Sequence, residues 1–329
     1  MSRGELMRWR PRVSVTLGVG LVLAGLQAAA PAQARENAPT CTDVPSLAKP
    51  FYPGPSASKE YDSTFQIGFH VPYLKTYTPQ GMTVWTNWNG HHDDLVLIAM
   101  YRKGSRSYLV AFDADSGERY ATLQLAEGHL GGMSVAGKYL FAQDGAYQGN
   151  EPVRRYRLAT LEKAIKKAHK KDSKPFVAMA SGTQMIHGAS FMTTYDGHLW
   201  AGHFDSDEPD KMYEYKISKA GKLSKVGSAW EVPAQTQGVL VLSDRFIFSV
   251  SDVFDQGTLV VVTRHHDLDD GTGRCFRIPS MGESLARLGD NVLLDFEGGS
   301  YKYPHATNRI GDVHVAPLDK VRSLTDHLL

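Results

Sequence analysis

Cysteine is almost missing from this chain: among 329 residues only Cys41 and Cys275 carry a thiol, so at most one intramolecular disulfide can form. Charge of one sign is missing too. Thirty-six Lys and Arg residues stand against 35 Asp and Glu, the net charge is +1 and the pI about 7.8. No global field draws the molecule to nucleic acid or a membrane surface, and a basic partner surface must be local. There is no Gly-x-Ser-x-Gly, and neither Ser190 nor Ser284 sits in a nucleophile elbow, which sets a covalent serine route aside. His129, His187 and His203 are isolated from one another and lack the short spacings that make a zinc motif specific.

A long apolar run occurs at the start. Arg3, Arg8, Arg10 and Arg12 precede Val13 to Ala30, and the small-x-small triplet Ala32-Gln33-Ala34 follows. This is the pattern of a signal peptide over 1–34, removed after Ala34, and the scattered arginines fit the general secretory route. Gly, Ala and Thr dilute the run, and a cleavage site follows it, so no stable membrane insertion is expected after processing. Residues 35–60, with Pro45, Pro50, Pro53 and Pro55, read as an extended arm, and 61–329 as one domain. In an exported chain the two cysteines are expected to form a Cys41–Cys275 disulfide that clamps the arm to the fourth repeat.

What the chain has is a repeat. Gln235–Asp252, QTQGVLVLSDRFIFSVSD, runs from a polar-plus-Gly start through a strand, a Ser-Asp-Arg turn and a second strand. Copies begin QGMTVW at Gln80, GGMSVAGKYLFAQD at Gly131, HGASFMTTYDGHLWAGHFD at His187 and MGESLARLGDNVLLDFE at Met281. Their glycines fall at 81, 132, 188, 238 and 282. Each period holds about four strands, which favours propeller blades over a barrel or sandwich. The expectation is an all-β, five-bladed β-propeller, or six blades if the arm hides a degenerate copy. Leu161–Lys171, LEKAIKKAHKK, has helical spacing and reads as a helix on the rim, with its lysines forming a solvated face. The fifth repeat lacks its fourth strand, and Phe65–Phe69 is predicted to supply it from the N-terminal side.

The stretches PQGMTVW, GHLGGMSV, VRRYRL and QTQGVLVLSDRFIFS resemble those of secreted β-propeller proteins of actinobacteria. More distantly, the repeated glycine resembles secreted propellers such as the lactonases and phytase-like esterases. The first resemblance implies a fold and a location but no activity. The acidic and Asn metal ligands of the lactonases are not recognisable at matching positions, so no catalytic residue is carried over.

In an up-and-down blade, the loop before the innermost strand and the loop between the second and third strands share one face. The first set contributes Gln80, His129, His187, Gln237 and Glu283; the second contributes Tyr101, Arg102, Asp144, His203, Asp205, Asp252 and Glu297. Polar groups converging on one mouth suggest a ligand site. His187 and Glu283 are the candidate catalytic residues, a group that titrates near neutrality and a carboxylate. The others are candidate ligand-binding residues, although polar side chains at strand ends also serve to satisfy backbone groups. Two cofactors are considered: zinc on His129, His187 and His203 with Asp205, and calcium on Asp205, Asp207, Glu208 and Asp210. The expected protein is a secreted, monomeric propeller that binds a small molecule or a cell-wall or other extracellular polymer in an axial pocket and hydrolyses it. The alternative is a non-catalytic scaffold for protein interactions.

Overall fold

The computed structural model describes residues 56–145, 150–180, 182–251, 256–268 and 273–324. The expected signal peptide, nearly all of the expected arm, Cys41 and Asp252 lie outside the described residues.

A short helix, α1 (Lys59–Thr64), capped by the Ser58 side chain, precedes β1 (Gln66–His70). The first blade is β2 (Thr78–Trp85), β3 (Leu95–Tyr101), β4 (Ser107–Asp113) and β5 (Arg119–Leu125). The second is β6 (Met133–Ala136), β7 (Tyr139–Gln143), β8 (Glu151–Arg157) and β9 (Gln184–Ile186), with helix α2 (Leu158–Lys171) between its last two strands. The third is β10 (Phe191–Tyr195), β11 (His198–Gly202), β12 (Asp210–Ile217) and β13 (Leu223–Val232). The fourth is β14 (Thr236–Val241), β15 (Arg245–Val250), β16 (Gln256–Thr263) and β17 (Gly273–Ser280). The last comprises β18 (Gly282–Leu288), β19 (Asn291–Phe296) and β20 (Asp312–Pro317), and β1 is its outermost strand. All pairings within the blades are antiparallel, so this is a five-bladed β-propeller closed by an N-terminal strand.

The blades hold together because their strands are apolar on both sides. In β3, Leu95, Leu97 and Ala99 face the second blade, while Val96, Ile98 and Met100 face the last. Period-two alternation thus yields a continuous apolar run, as expected when both faces of a sheet are covered. Five buried clusters result, each between neighbouring blades. The repeated glycine has its reason at the axis, where inner strands come within backbone contact. A Cβ on Gly132 would meet the Ala189 carbonyl oxygen at 2.0 Å, and one on Gly238 the Glu283 carbonyl oxygen at 2.6 Å.

Three local features complete the blades. Val135–Phe141 is a hairpin turning at Gly137, whose φ is +57°. Strand β9 is only three residues long, too short to carry an alternating pattern. Helix α2 begins at Leu158, one turn before the expected Leu161, and buries Leu161, Ile165 and Ala168 against the first blade.

Candidate functional site

The five inner strands begin on one face, and two buried carboxyl centres lie there on opposite sides of the mouth. One is built by the last blade. Glu283 follows Gly282 at the start of β18, and Asp295 and Glu297 lie at the end of β19; Glu283 and Asp295 are buried, whereas Glu297 is half-buried at the mouth. Gln80, fully buried on β2, donates through Nε2 to Glu297 Oε1 and to the Pro79 carbonyl at 2.7 Å. The hydroxyl of Tyr303 donates to Glu297 and accepts from Lys302 Nζ at 2.6 Å. Asp295 accepts from the Ser284 amide at 2.7 Å, and its other oxygen has no partner.

The electrostatics follow from this crowding. Burial first, then the Glu297 and Asp295 charges, hold Glu283 well above the usual carboxylate range. Burial likewise raises Asp295 well above it, and raises Glu297 despite opposing contributions from Lys302, Gln80 and Tyr303. Like charges sharing a dry site disfavour one another's ionisation, so the three carboxyls titrate as a group shifted towards the protonated form.

The second centre is Glu151, at the start of β8 and wholly buried. Its oxygens accept from Gln143 Nε2 (2.8 Å), the Ala189 amide (2.9 Å) and Ser190 Oγ (2.9 Å). His203 Nε2 lies 3.7 Å away, and its Nδ1 meets Asp210 Oδ2 at 2.5 Å. Burial raises the Glu151 pKa, and these partners each work to lower it. Gln143 also takes the Gly131 amide at 3.2 Å and hydrogen-bonds His129, so this centre reaches the mouth.

His129 stands there with its ring 5.1 Å from that of Tyr101, edge to face. Although the ring retains solvent access, the protein crowding it holds its pKa below the usual histidine value. Lys302 adds to this, while the bond with Gln143 opposes it.

The other candidates are dispersed. Asp144 is bound by Arg154, a buried guanidinium that also donates to the Ala126 carbonyl at 2.8 Å and so ties the second blade to the first. His187 is exposed on the third blade, its ring 5.3 Å from Tyr213 and its backbone tied to the Tyr215 hydroxyl. Asp205 caps its own loop by accepting from the Asp207 and Glu208 amides at 2.8 and 3.0 Å. These bonds lower its pKa. Gln237 is half-buried beside Gly238, and Arg102 is exposed in a cleft beside the mouth. Cys275 is buried on β17.

Among the described residues no group of three or more His, Cys, Asp or Glu side chains is arranged to hold a metal ion. The expected sets are already committed: His203 to Asp210 and Glu151, and Asp205 to its own loop. On the opposite face, Asn87 and Asn89 accept from the amides of His92 and His91, so the His91-His92-Asp93-Asp94 motif is turn chemistry.

Glu151, Gln143, Asp295 and Tyr303 escaped the sequence reading. The usable signal for Glu151 was its position at the start of a third strand, on the same face as the candidates; a carboxylate inside the apolar run NVLLDF was the signal for Asp295.

No protein-family model matches the chain, and no curated protein matches it. Among solved structures it is similar to glutaminyl cyclase from Myxococcus xanthus, with 9% identity, TM-score 0.45, and coverage of 77% of this chain and 97% of that one. It is also similar to a GH43_1 enzyme from Xanthomonas citri, solved alone and with xylotriose, with 9% identity, TM-score 0.43, and coverage of 79% and 92%. At these identities and scores no activity transfers from either protein.

Proposed function

We propose that this chain is an exported hydrolase that binds a polar extracellular ligand at the axial mouth, with Glu297 as general acid and His129 as general base. The observation that carries this reading is the opposed shift of two accessible groups: Glu297 is pushed up and His129 down, and the charge of Lys302 acts on both. Shifts in these directions bring the two pKa values towards each other and so raise the share of molecules in which Glu297 holds its proton while His129 is neutral. His129 takes a proton from water attacking the scissile carbon, and Glu297 gives its proton to the departing oxygen. Glu283 and Asp295 are buried beside Glu297, whose charge raises the pKa of both. Tyr303 and Lys302 link Glu297 to solvent.

The N-terminal leader and the resemblance to secreted actinobacterial propellers support an extracellular, monomeric protein, and a Cys41–Cys275 disulfide fits that setting. The scaffold reading draws on one observation: Phe176, Met179 and Met185 are exposed apolar residues on the outer edge of the second blade and the segment leading to it.

The test is turnover of a panel of chromogenic glycosides and esters by the secreted protein. Activity should follow a bell in pH, falling at low pH as His129 protonates and at high pH as Glu297 ionises. Glu297→Gln should lower kcat by about 10²- to 10⁴-fold and abolish the high-pH limb, and His129→Gln the low-pH limb. Turnover by either variant with an unchanged profile would remove its residue from this role.

A further inference from the structure

A cleft of about 480 Å³ opens where the first and last blades meet, lined by Lys75, Thr76, Thr78, Tyr101, Arg102, Lys103, Ser300, Tyr301 and Lys302. Its lining holds four cations and no carboxylate. Among the described residues none of Lys75, Arg102, Lys103 and Lys302 is in an ion pair. Glu127, on the neighbouring loop, accepts from the Gly104 amide at 2.5 Å. A chain with net charge +1 has thus concentrated positive charge in one concavity, where Lys302 also acts on Glu297 and Lys75, Arg102 and Lys103 carry the rest.

The floor is built rather than incidental. Thr78 and Ser300, both buried, share a hydrogen bond of 3.1 Å, and Ser300 Oγ also accepts the Lys302 amide at 3.2 Å. Tyr77, stacked on Tyr108 with ring centroids 4.3 Å apart, backs the wall. Ser300 donates its amide to the carbonyl of Glu297, so the cleft adjoins the acid. The volume suits a small organic molecule rather than a bare ion. Hydroxyls on Thr76, Tyr101 and Tyr301 match a polyhydroxylated ring, and the Arg102 fork suits a carboxylate or phosphate.

From this we infer that the cleft is a subsite for a negatively charged saccharide unit, carboxylated or phosphorylated, of the ligand whose reacting bond lies at Glu297. The inference rests on the hydrolytic reading for that last clause, whereas the binding can be tested without turnover.

The experiment measures binding of D-glucuronate, D-glucose 6-phosphate, D-glucose and inorganic phosphate to the secreted protein by ligand-observed NMR. The variants are Arg102→Ala/Lys103→Ala and Glu297→Gln. At least one anionic sugar should bind about tenfold or more tightly than glucose, and which one binds tells carboxylate from phosphate. Binding should weaken as salt rises from about 20 to about 300 mM, fall about tenfold in the double variant and survive in Glu297→Gln. The proposal is overturned if neither anionic sugar binds, if glucose binds equally well, or if inorganic phosphate matches the sugar phosphate. Unchanged binding by a correctly melting double variant also overturns it. Loss of turnover in Glu297→Gln with saccharide binding intact separates this subsite from the acid chemistry.

Discussion

Glu151 and the Glu283–Asp295–Glu297 group lie on one face of the ring, at comparable positions in their blades, and burial raises the pKa of all four. Their surroundings differ. Glu151 is saturated with donors from two blades, Gln143 from the second and Ala189 and Ser190 at the edge of the third. The other group is short of donors: Gln80 Oε1 and Asp295 Oδ2 are buried without a partner, and the main neighbours of Glu283 are further carboxyls. A satisfied buried carboxylate ties blades together. A crowded one at an open mouth is biased towards its protonated form, the property the proposed acid role requires.

The sharpest way to break this contrast is Glu151→Ala, which leaves three donors without their acceptor. Stability should fall by about 3–5 kcal/mol in denaturant unfolding. A loss under about 1 kcal/mol would mean that Glu151 is no staple.

Glu283→Gln should have the opposite sign. Because burial and neighbouring charge raise its folded-state pKa, native protein holds this proton more tightly than the unfolded chain. Its contribution to stability is therefore lost as pH rises from the ordinary carboxylate range through the folded-state value. His129 and His314, both lowered by burial, act in the other direction and add stability as pH rises into the ordinary histidine range. Comparing variant with parent cancels the histidines. The variant should gain in relative Tm as pH rises, reaching a few degrees at alkaline pH, roughly the effect of 1–2 kcal/mol in a domain of this size. A pH-independent difference would refute the shift.

Tyr303→Phe should do least to stability, under about 1 kcal/mol. It removes a bond that lowers the Glu297 pKa, so the Glu297 carboxyl resonance should titrate at higher pH in ¹³C NMR. No movement would exclude Tyr303 as its donor.

The ring was legible because blade strands are buried on both sides and their turns are marked: LVLIAM, RFIFSV and NVLLDF stand out between Gly, Asp and Ser. The closing strand was legible as a deficit, a fifth repeat with three strands and a spare one near residue 66. The strand β9 was not, since only Ile186 of its three residues is buried. Gln80, Glu283 and Glu297 could be picked out because they flank the repeat's glycines or end its second strands. His187 fits the same rule yet ends up exposed beside Tyr213, because position in a repeat fixes the blade and the face but not the direction of a side chain. The opposed shifts of Glu297 and His129 depend on packing between blades, which no local pattern encodes.

The closure by β1 also sets an order of assembly. Gln66 pairs with Val315, so contacts between the two ends of the fold form only after nearly all of the chain exists. Such long-range pairing is slow, since a large loop must close before any contact compensates for it. Glu283, Asp295 and Glu297 belong to the same late-closing blade. In a growing or translocating chain these carboxyls remain in water, ionised and apart. The proton they take up on closure is a measurable signature of the last step in folding: uptake should coincide with completion of the ring and be absent from any fragment ending before β20.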